Sequence, residues 1–262
     1  MSNLPFATRA ARPPRIGNVL ACWLVLGWAA VGGAPAEGRA WGQDRAAASA
    51  SQPPAAGGTI EGVVRYQPDP ARPWRYARYY VKRLSSGELA EAVVALRAVR
   101  GGSLTPSGPA ARPPQTVVID QKDFTFQPET VVLRQGDAVR FTNSDGATHN
   151  VQADSEIASF NVTMPGGGFH TVTFDKAGGT RRPVQVGCVF HSAMRAWVFV
   201  FDHPYYQLTG SDGRFQLRDV PPGEYELEVV HPSGELATRQ RVTVRAGQRL
   251  TLDIRLTPAD KR

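Results

Sequence analysis

The 262-residue chain is long enough for one large or two ordinary domains, and its apolar fraction of 42% is sufficient for packed cores, which excludes wholesale disorder. Its formal net charge is +7, but the basic residues are spread along the chain, which argues against a nucleic-acid partner. The 26 glycines and 21 prolines are typical of many short strands joined by turns.

The first 36 residues have the organisation of a signal peptide. Three arginines precede an apolar stretch at 19–33, and the small residues APA at 34–36 suit a cleavage site. The apolar stretch is short for a membrane span and polar residues follow it promptly, so we expect no span after cleavage. An uncleaved anchor is the alternative. A lipoprotein interpretation centred on Cys22 is weaker, because the apolar run continues beyond that residue.

Cleavage after residue 36 would change two properties of the chain. The formal charge would fall to +4, because three of the 30 basic residues and none of the 23 acidic residues precede position 37. Of the two cysteines only Cys188 would remain, so the mature chain could form no internal disulfide. We expect an exported protein, periplasmic or in the cell envelope, in which this lone thiol is protected or has a function.

Residues 37–114 contain few strand signals. Residues 37–58 are rich in Ala, Ser, Pro and Gly and are interpreted as a flexible linker. Strand-like alternation follows at 59–66. The basic, aromatic segment 73–83 is typical of an amphipathic strand or short helix with its tyrosines packed inward. The alternative interpretation is a docking surface. Residues 88–99 are a strand candidate with helix as the alternative, and 100–114 has the composition of a second linker.

From residue 115 onward the strand signals are dense. Runs of β-branched and aromatic residues alternate with Gly, Asp and Asn turns, and the segment 115–204 is long enough for a sandwich of seven or eight strands. Four more strands are predicted between 211 and 256, with tight turns at the Asp-Gly and Pro-Gly pairs. No long amphipathic helix pattern is present. The predicted fold class is all-β.

Three metal-binding side chains stand in one short loop, CVFHSAM, directly before an apolar strand. Cys188, His191 and Met194 are three residues apart. A thiolate, two imidazoles and a weak axial thioether are typical of a mononuclear blue-copper site. Of the remaining histidines, His149 in NSDGATHNV is the best candidate for the second imidazole, because it follows a predicted strand and a turn.

Each of these residues also has a purely structural interpretation. A lone histidine is usually structural, a lone methionine usually belongs to a core, and a free cysteine is often a small buried hydrophobe. Their combination with β-rich flanks favours the metal site. We interpret His170 as a surface residue, and His203 and His231 lie outside the pattern.

The stretch from about 116 to 204 resembles the cupredoxins, in particular the plastocyanin and amicyanin group. The matching motifs are GDAVRFTN, THNV, VTFDKAG and C-x2-H-x2-M. The resemblance implies a Greek-key sandwich that binds one copper ion and has no catalytic residues. The implied copper ligands are His149, Cys188, His191 and Met194. It also gives Asn150 the role of joining the two ligand loops.

The tail resembles the carboxypeptidase regulatory-like domain, a small transthyretin-like β-sandwich, through its DGRF turn and the run PPGEYELEV. The tail alone has too few strands for such a sandwich, and the strands predicted before residue 100 match its opening strands. We therefore predict a discontinuous domain at 59–114 and 205–258, into which a cupredoxin domain at 115–204 is inserted. This order resembles bacterial exported proteins described as plastocyanin-like or methylamine-utilisation-like.

The resemblance implies an exported mononuclear blue (type 1) copper protein that carries single electrons between periplasmic redox partners. His191 would be the electron port, and a redox partner protein would dock around it on Met164, Pro165 and Phe190. The alternatives are a periplasmic copper-binding or copper-delivery protein and a binding module with an incidental copper site.

Two enzyme classes fit less well. A Cys-His hydrolase lacks an orienting partner and an oxyanion-hole motif. A multicopper oxidase would need H-x-H motifs, which the sequence does not contain. We therefore expect no enzymatic activity.

Overall fold

A computed structural model describes residues 56–68, 70–71, 87–99, 104, 112–232 and 236–257. The predicted signal peptide at 1–36, nearly all of the 37–58 linker, the basic segment at 73–83 and most of the 100–114 linker lie outside the described residues. The described residues form sixteen strands and no helix, so the predicted all-β class is confirmed. Among them, no helix is long and apolar enough to cross a membrane.

The strands, in chain order, are β1 (Gly58–Tyr66), β2 (Val93–Ala98), β3 (Thr116–Lys122), β4 (Thr125–Gln127), β5 (Thr130–Arg134), β6 (Ala138–Asn143), β7 (His149–Asp154), β8 (Ser159–Met164), β9 (Phe169–Thr173), β10 (Val184–Gly187), β11 (Arg195–Phe201), β12 (Tyr206–Leu208), β13 (Arg214–Val220), β14 (Gly223–Val230), β15 (Ala237–Val244) and β16 (Arg249–Leu256). They form four sheets, with the orders β5-β11-β10-β7-β8, β4-β3-β6-β9, β13-β1-β16 and β12-β2-β14-β15.

The sheets containing β3 to β11 enclose the first core. Alternate residues of these strands point inward, as the period of two in a strand requires, and side chains such as Ile119, Phe141, Val186 and Val198 fill the space between the sheets. Cys188 and Met194 belong to this same core. Two of the four predicted copper ligands are therefore part of the packed core of this sandwich.

The remaining strands form a second sandwich whose pairing joins distant parts of the chain. Strand β1 pairs with β13 and β16, and β2 pairs with β12 and β14. The segments on either side of β3–β11 thus hydrogen-bond to each other. Inward side chains such as Ile60, Leu96, Leu227 and Ile254 fill this second core.

Strand β2 is buried on both of its faces. Val94 and Leu96 face the second core, whereas Val93 and Ala95 pack with Phe199 and Phe201 at the end of β11. Burial on both faces explains why the sequence VVAL is wholly apolar rather than alternating. The helix interpretation of 88–99 is therefore wrong, and the strand interpretation is confirmed.

The sequence underestimated the number of strands. Nine strands rather than seven or eight lie between residues 116 and 201. The four strands predicted between 211 and 256 are present, and the short strand β12 precedes them. The short strands β4 and β12 have three residues each, and β8 lies in the sequence SFNVTM, which combines polar residues with a weak alternation.

Gly62 allows β1 and β16 to approach closely. A Cβ atom added at this position would lie 2.1 Å from the backbone oxygen of Leu252 and 2.9 Å from the Phe215 ring. Because the first of these neighbours is backbone, the clash can be relieved only by separating the strands.

We therefore expect Gly62→Ala to lower the free energy of unfolding by about 1–3 kcal/mol or more, as measured by urea denaturation. Gly146→Ala is the matched control, since an added Cβ there meets no atom within 4 Å. Equal stability of the two variants would contradict the close pairing of β1 with β16.

Candidate metal centre

Three potential metal ligands converge at one end of the first sandwich. His149 is the first residue of β7, Cys188 directly follows β10, and His191 lies in the turn between β10 and β11. The nearest ligand atoms of the three side chains all lie within 4.8 Å of one another. His149 follows strand β6 and a turn, as expected from the sequence, and it is the first residue of the next strand.

The imidazole rings of His149 and His191 face each other with their Nδ1 atoms. The Nδ1 atoms of His149 and His191 are 3.0 Å apart, and His191 Nδ1 is 3.6 Å from the Cys188 sulfur. His149 is fully buried, Cys188 is 6% exposed and His191 is half-buried. The site is thus enclosed except along the edge of His191.

The separations of His191 from His149 and from Cys188 fit coordination of a single ion. Borderline metals bind imidazole nitrogen at about 2.0–2.1 Å and thiolate sulfur at about 2.3 Å, which limits two nitrogens to about 4.2 Å and nitrogen and sulfur to about 4.4 Å. The observed separations of 3.0 and 3.6 Å are inside both limits. A thiolate with two imidazoles selects copper or another soft to borderline metal.

Asn150 connects the strand of His149 to the loop of Cys188. Its backbone N–H donates to the Cys188 sulfur over 3.3 Å, and its side-chain oxygen accepts the N–H of Val189 at 3.5 Å. Its side-chain amide donates to Asn161 Oδ1 over 2.6 Å, which holds the side chain against β8. The hydrogen bond to the sulfur and the one from the Val189 N–H hold the Cys188 loop close to the strand of His149.

Met194 and Met164 are both buried near these ligands. Met194 packs in the same core as Cys188, and its N–H donates to the His191 carbonyl over 3.0 Å, which closes the ligand turn. Met164 pairs with His149 across β7 and β8 and is only 2% exposed. The expectation that Met164 contributes to an exposed docking patch is therefore wrong.

Asp145 is a contact of the site that the sequence did not reveal. Its Oδ2 lies 2.8 Å from His149 Nε2, the ring nitrogen opposite the one that faces the cluster. This bond, together with the backbone N–H groups of Phe124 and Asp123, holds the pKa of the Asp145 carboxyl below its ordinary value although partial desolvation opposes the shift. A carboxylate accepting the Nε2 proton leaves the Nδ1 lone pair of His149 free for a metal.

The ring of Phe124, which the sequence analysis also missed, lies against both imidazoles. It meets His149 edge-on at 5.4 Å between ring centres and His191 at 4.9 Å, with interplanar angles of 82° and 84°. The Phe124 side chain comes from the β3–β4 turn, far from the ligands in sequence. No spacing pattern indicates such a contact.

The other histidines are placed away from the cluster. His170 is half-buried in β9, and His203 is buried where β11 leads into β12, with its Nδ1 accepting the N–H of Tyr205. Burial lowers the pKa of His203 and lowers that of His231 to about 4.

Comparisons with protein families give two matches. Residues 114–200 match the copper binding proteins of the plastocyanin/azurin family, and residues 195–257 match the carboxypeptidase regulatory-like domain. Both resemblances stated from the sequence are thus confirmed. No curated protein matches the chain.

Solved structures similar to the chain include several copper proteins. Amicyanin from Paracoccus versutus is 23% identical and covers 41% of this chain and 97% of its own, with a TM-score of 0.30. A purple cupredoxin from Nitrosopumilus maritimus is 21% identical over 32% of this chain and 99% of its own, with a TM-score of 0.29. A copper-containing nitrite reductase from Thermus scotoductus is 20% identical over 37% of this chain and 25% of its own, with a TM-score of 0.31.

The cluster, the fold and the family matches agree. The chain therefore combines a segment similar to the copper-binding proteins of the plastocyanin/azurin family with one similar to the carboxypeptidase regulatory-like domain, and its His149–Cys188–His191 cluster can hold one copper ion.

Proposed function

We propose that this protein is an exported mononuclear blue copper protein that carries single electrons between periplasmic redox partners. The observation that carries the proposal is the unequal exposure of the cluster: His149 and Cys188 are buried, whereas the His191 ring reaches the surface. A redox centre needs one edge close to its partner and protection from water elsewhere. When bound, copper supplies a centre that takes up and releases one electron.

The ligand set in this proposal is His149, Cys188, His191 and Met194. The first three are supported by their spacing. Met194 is supported by its burial in the same core as Cys188 and by the ligand turn that its N–H closes. Because hydrogen bonds and core packing fix these side chains, they would hold nearly one geometry in both oxidation states, and small reorganisation favours fast transfer. We propose no catalytic role for any residue.

An apolar surface around His191 supports docking of a redox partner there. Phe124, Val189 and Phe190 are each more than half exposed, at 52%, 56% and 54%, and all three lie in the turn that touches His191 or in the ligand loop itself. Exposed apolar clusters of this kind are typical of interaction sites. Pro165 is also exposed.

Export and domain organisation belong to the same proposal. Export is supported by the arginine, apolar and APA pattern of residues 1–36 and by the single cysteine left after cleavage. The division into a cupredoxin domain at 115–204 and a discontinuous host at 59–114 and 205–258 is supported by the separate cores and by the pairing of β1 and β2 with strands after residue 205.

The ligand roles can be separated by substitution. Cys188→Ser should abolish the intense thiolate-to-copper absorption, because that transition needs sulfur. Met194→Leu should keep the colour and shift the reduction potential, since an axial thioether is long and weak. His170→Ala, which alters a histidine outside the cluster, is the control. The measurements are absorption spectra and voltammetry, and native colour in Cys188→Ser would refute the ligand set.

Electron transfer through the His191 surface can be tested with a matched pair of valines. Val189→Glu places a charge in the ligand loop, whereas Val118→Glu adds the same charge on β3. The two positions are similarly exposed, at 56% for Val189 and 49% for Val118. Electron self-exchange between copper-loaded molecules should slow by about tenfold in Val189→Glu, because like charges meet across the encounter, and stay unchanged in the control. Equal rates, together with rapid loss of copper to a chelator, would instead favour copper delivery.

The domain division predicts that residues 112–204 bind copper on their own. This fragment retains Asp137 together with Arg112, whose guanidinium lies 2.8 Å from Asp137 Oδ1. Its absorption spectrum with Cu(II) should match that of the full chain. A fragment that folds, as judged by circular dichroism, but remains colourless would contradict an independent cupredoxin domain.

A further inference from the structure

The turn between β3 and β4 has an unusual backbone. Lys122 pairs with Thr125, so Asp123 and Phe124 form a two-residue hairpin loop, and both have positive φ values of 53° and 58°. This conformation suits Asn and Gly, and it is unfavourable for a bulky aromatic residue. Some other interaction must stabilise Phe124 in this position.

The Asp145 carboxylate supplies that interaction. Its Oδ1 accepts the N–H of Asp123 over 2.8 Å, and its Oδ2 accepts the N–H of Phe124 over 3.1 Å. Hydrogen bonds to a charged acceptor are stronger than those between neutral groups. The carboxylate thus satisfies both backbone donors at the tip of the hairpin.

The same carboxylate also holds a metal ligand. Asp145 Oδ2 accepts from His149 Nε2 over 2.8 Å. Asp145 is itself fixed, because its N–H donates to Asn143 Oδ1 over 3.1 Å, and the Asn143 amide donates to the carbonyls of Ala147 and Met164 over 2.9 and 3.0 Å. One side chain therefore joins three elements: the hairpin, the β6–β7 loop and the first residue of β7.

We propose that Asp145 is a positioning residue that couples the β3–β4 hairpin to His149, so that Phe124 is held as a cap over both imidazole rings. The inference deepens the proposed function, because it assigns the control of that same site. The bond to Nε2 fixes the His149 tautomer and ring orientation, and the cap limits the access of water to the ring edges. The negative charge favours the more positive oxidised metal, so it lowers the reduction potential.

Asp145→Asn is the direct test. An amide has one acceptor atom where the carboxylate has two, so the variant must turn an NH2 group either toward the Asp123 N–H or toward the Phe124 and His149 donors. In the metal-free protein, amide hydrogen exchange at Asp123 or Phe124 should accelerate by about tenfold or more, as expected for loss of a hydrogen bond to a charged group. In the copper-loaded protein the reduction potential should rise.

Asp123→Asn is the matched control. It removes a carboxylate from the same turn, at an exposed position, and leaves the three donors to Asp145 in place. Asparagine also tolerates positive φ. The control should show native amide exchange at Phe124 and a smaller rise in potential, because an exposed charge is screened by solvent. Equal changes in the two variants would overturn the positioning role.

Phe124→Ala tests the cap separately and preserves the backbone donors. Deuterium exchange at the Cε1–H of His149 in the metal-free protein should accelerate several-fold, because the ring edge loses its cover, while Asp123 amide exchange stays native. Native Cε1 exchange would overturn the cap. The measurements on metal-free protein do not depend on copper chemistry, so a chain that shows these effects but no blue colour would refute the proposed function and leave the coupling intact.

Discussion

The hydrogen bond from the Asn150 backbone N–H to the Cys188 sulfur is the contact on which the metal centre depends. Strands β7 and β10 share only one paired position, Gly187 with Gln152, so the sheet ladder does not hold their ends together at the cluster. Near the cluster, the Asn150 N–H donates to the Cys188 sulfur instead of to a backbone carbonyl. Because this bond links the strand of His149 to the loop of Cys188, it holds these two ligand residues close together.

The contact between the two sandwiches is both apolar and polar. Phe199 and Phe201 pack against β2, while Thr130 donates to Glu91 over 2.9 Å. Glu228 of β14 also receives hydrogen bonds from Thr180 and Arg181 in the β9–β10 connection. Hydrogen bonds to a buried carboxylate such as Glu228 are directional, so they specify the alignment of the interface more closely than apolar packing alone.

Much of the fold could be predicted from the sequence because strand periodicity and turn residues are local signals. A three-residue strand is too short to show a period of two, and the alternation of apolar and polar residues in β8 is irregular. Strand β12 forms only because β2 presents a free edge to it, which is a tertiary condition that the local sequence does not encode.

The sequence identified some residues of the candidate site and not others. Cys188 and His191 share a loop, and His149 follows from the chemistry that a thiolate site needs. Asp145 stands four residues before His149 in NSDGATHN, but an acid in a Gly- and Asn-containing turn is ordinarily interpreted as a turn former. The position of Phe124 depends on two positive φ values, and Met164 was misplaced because the inward face of β8 could not be known without its register.

The burial of Cys188 also limits covalent chemistry at the sulfur. Thiol–disulfide exchange requires an attacking thiolate in line with the disulfide bond, and Cys188, which is only 6% exposed, offers little access to such a partner. Chains that have not yet acquired metal should therefore resist both cross-linking to one another and stepwise oxidation to sulfenic and sulfinic acids. The packing that encloses the ligand thus preserves the empty apoprotein for as long as the sandwich stays closed.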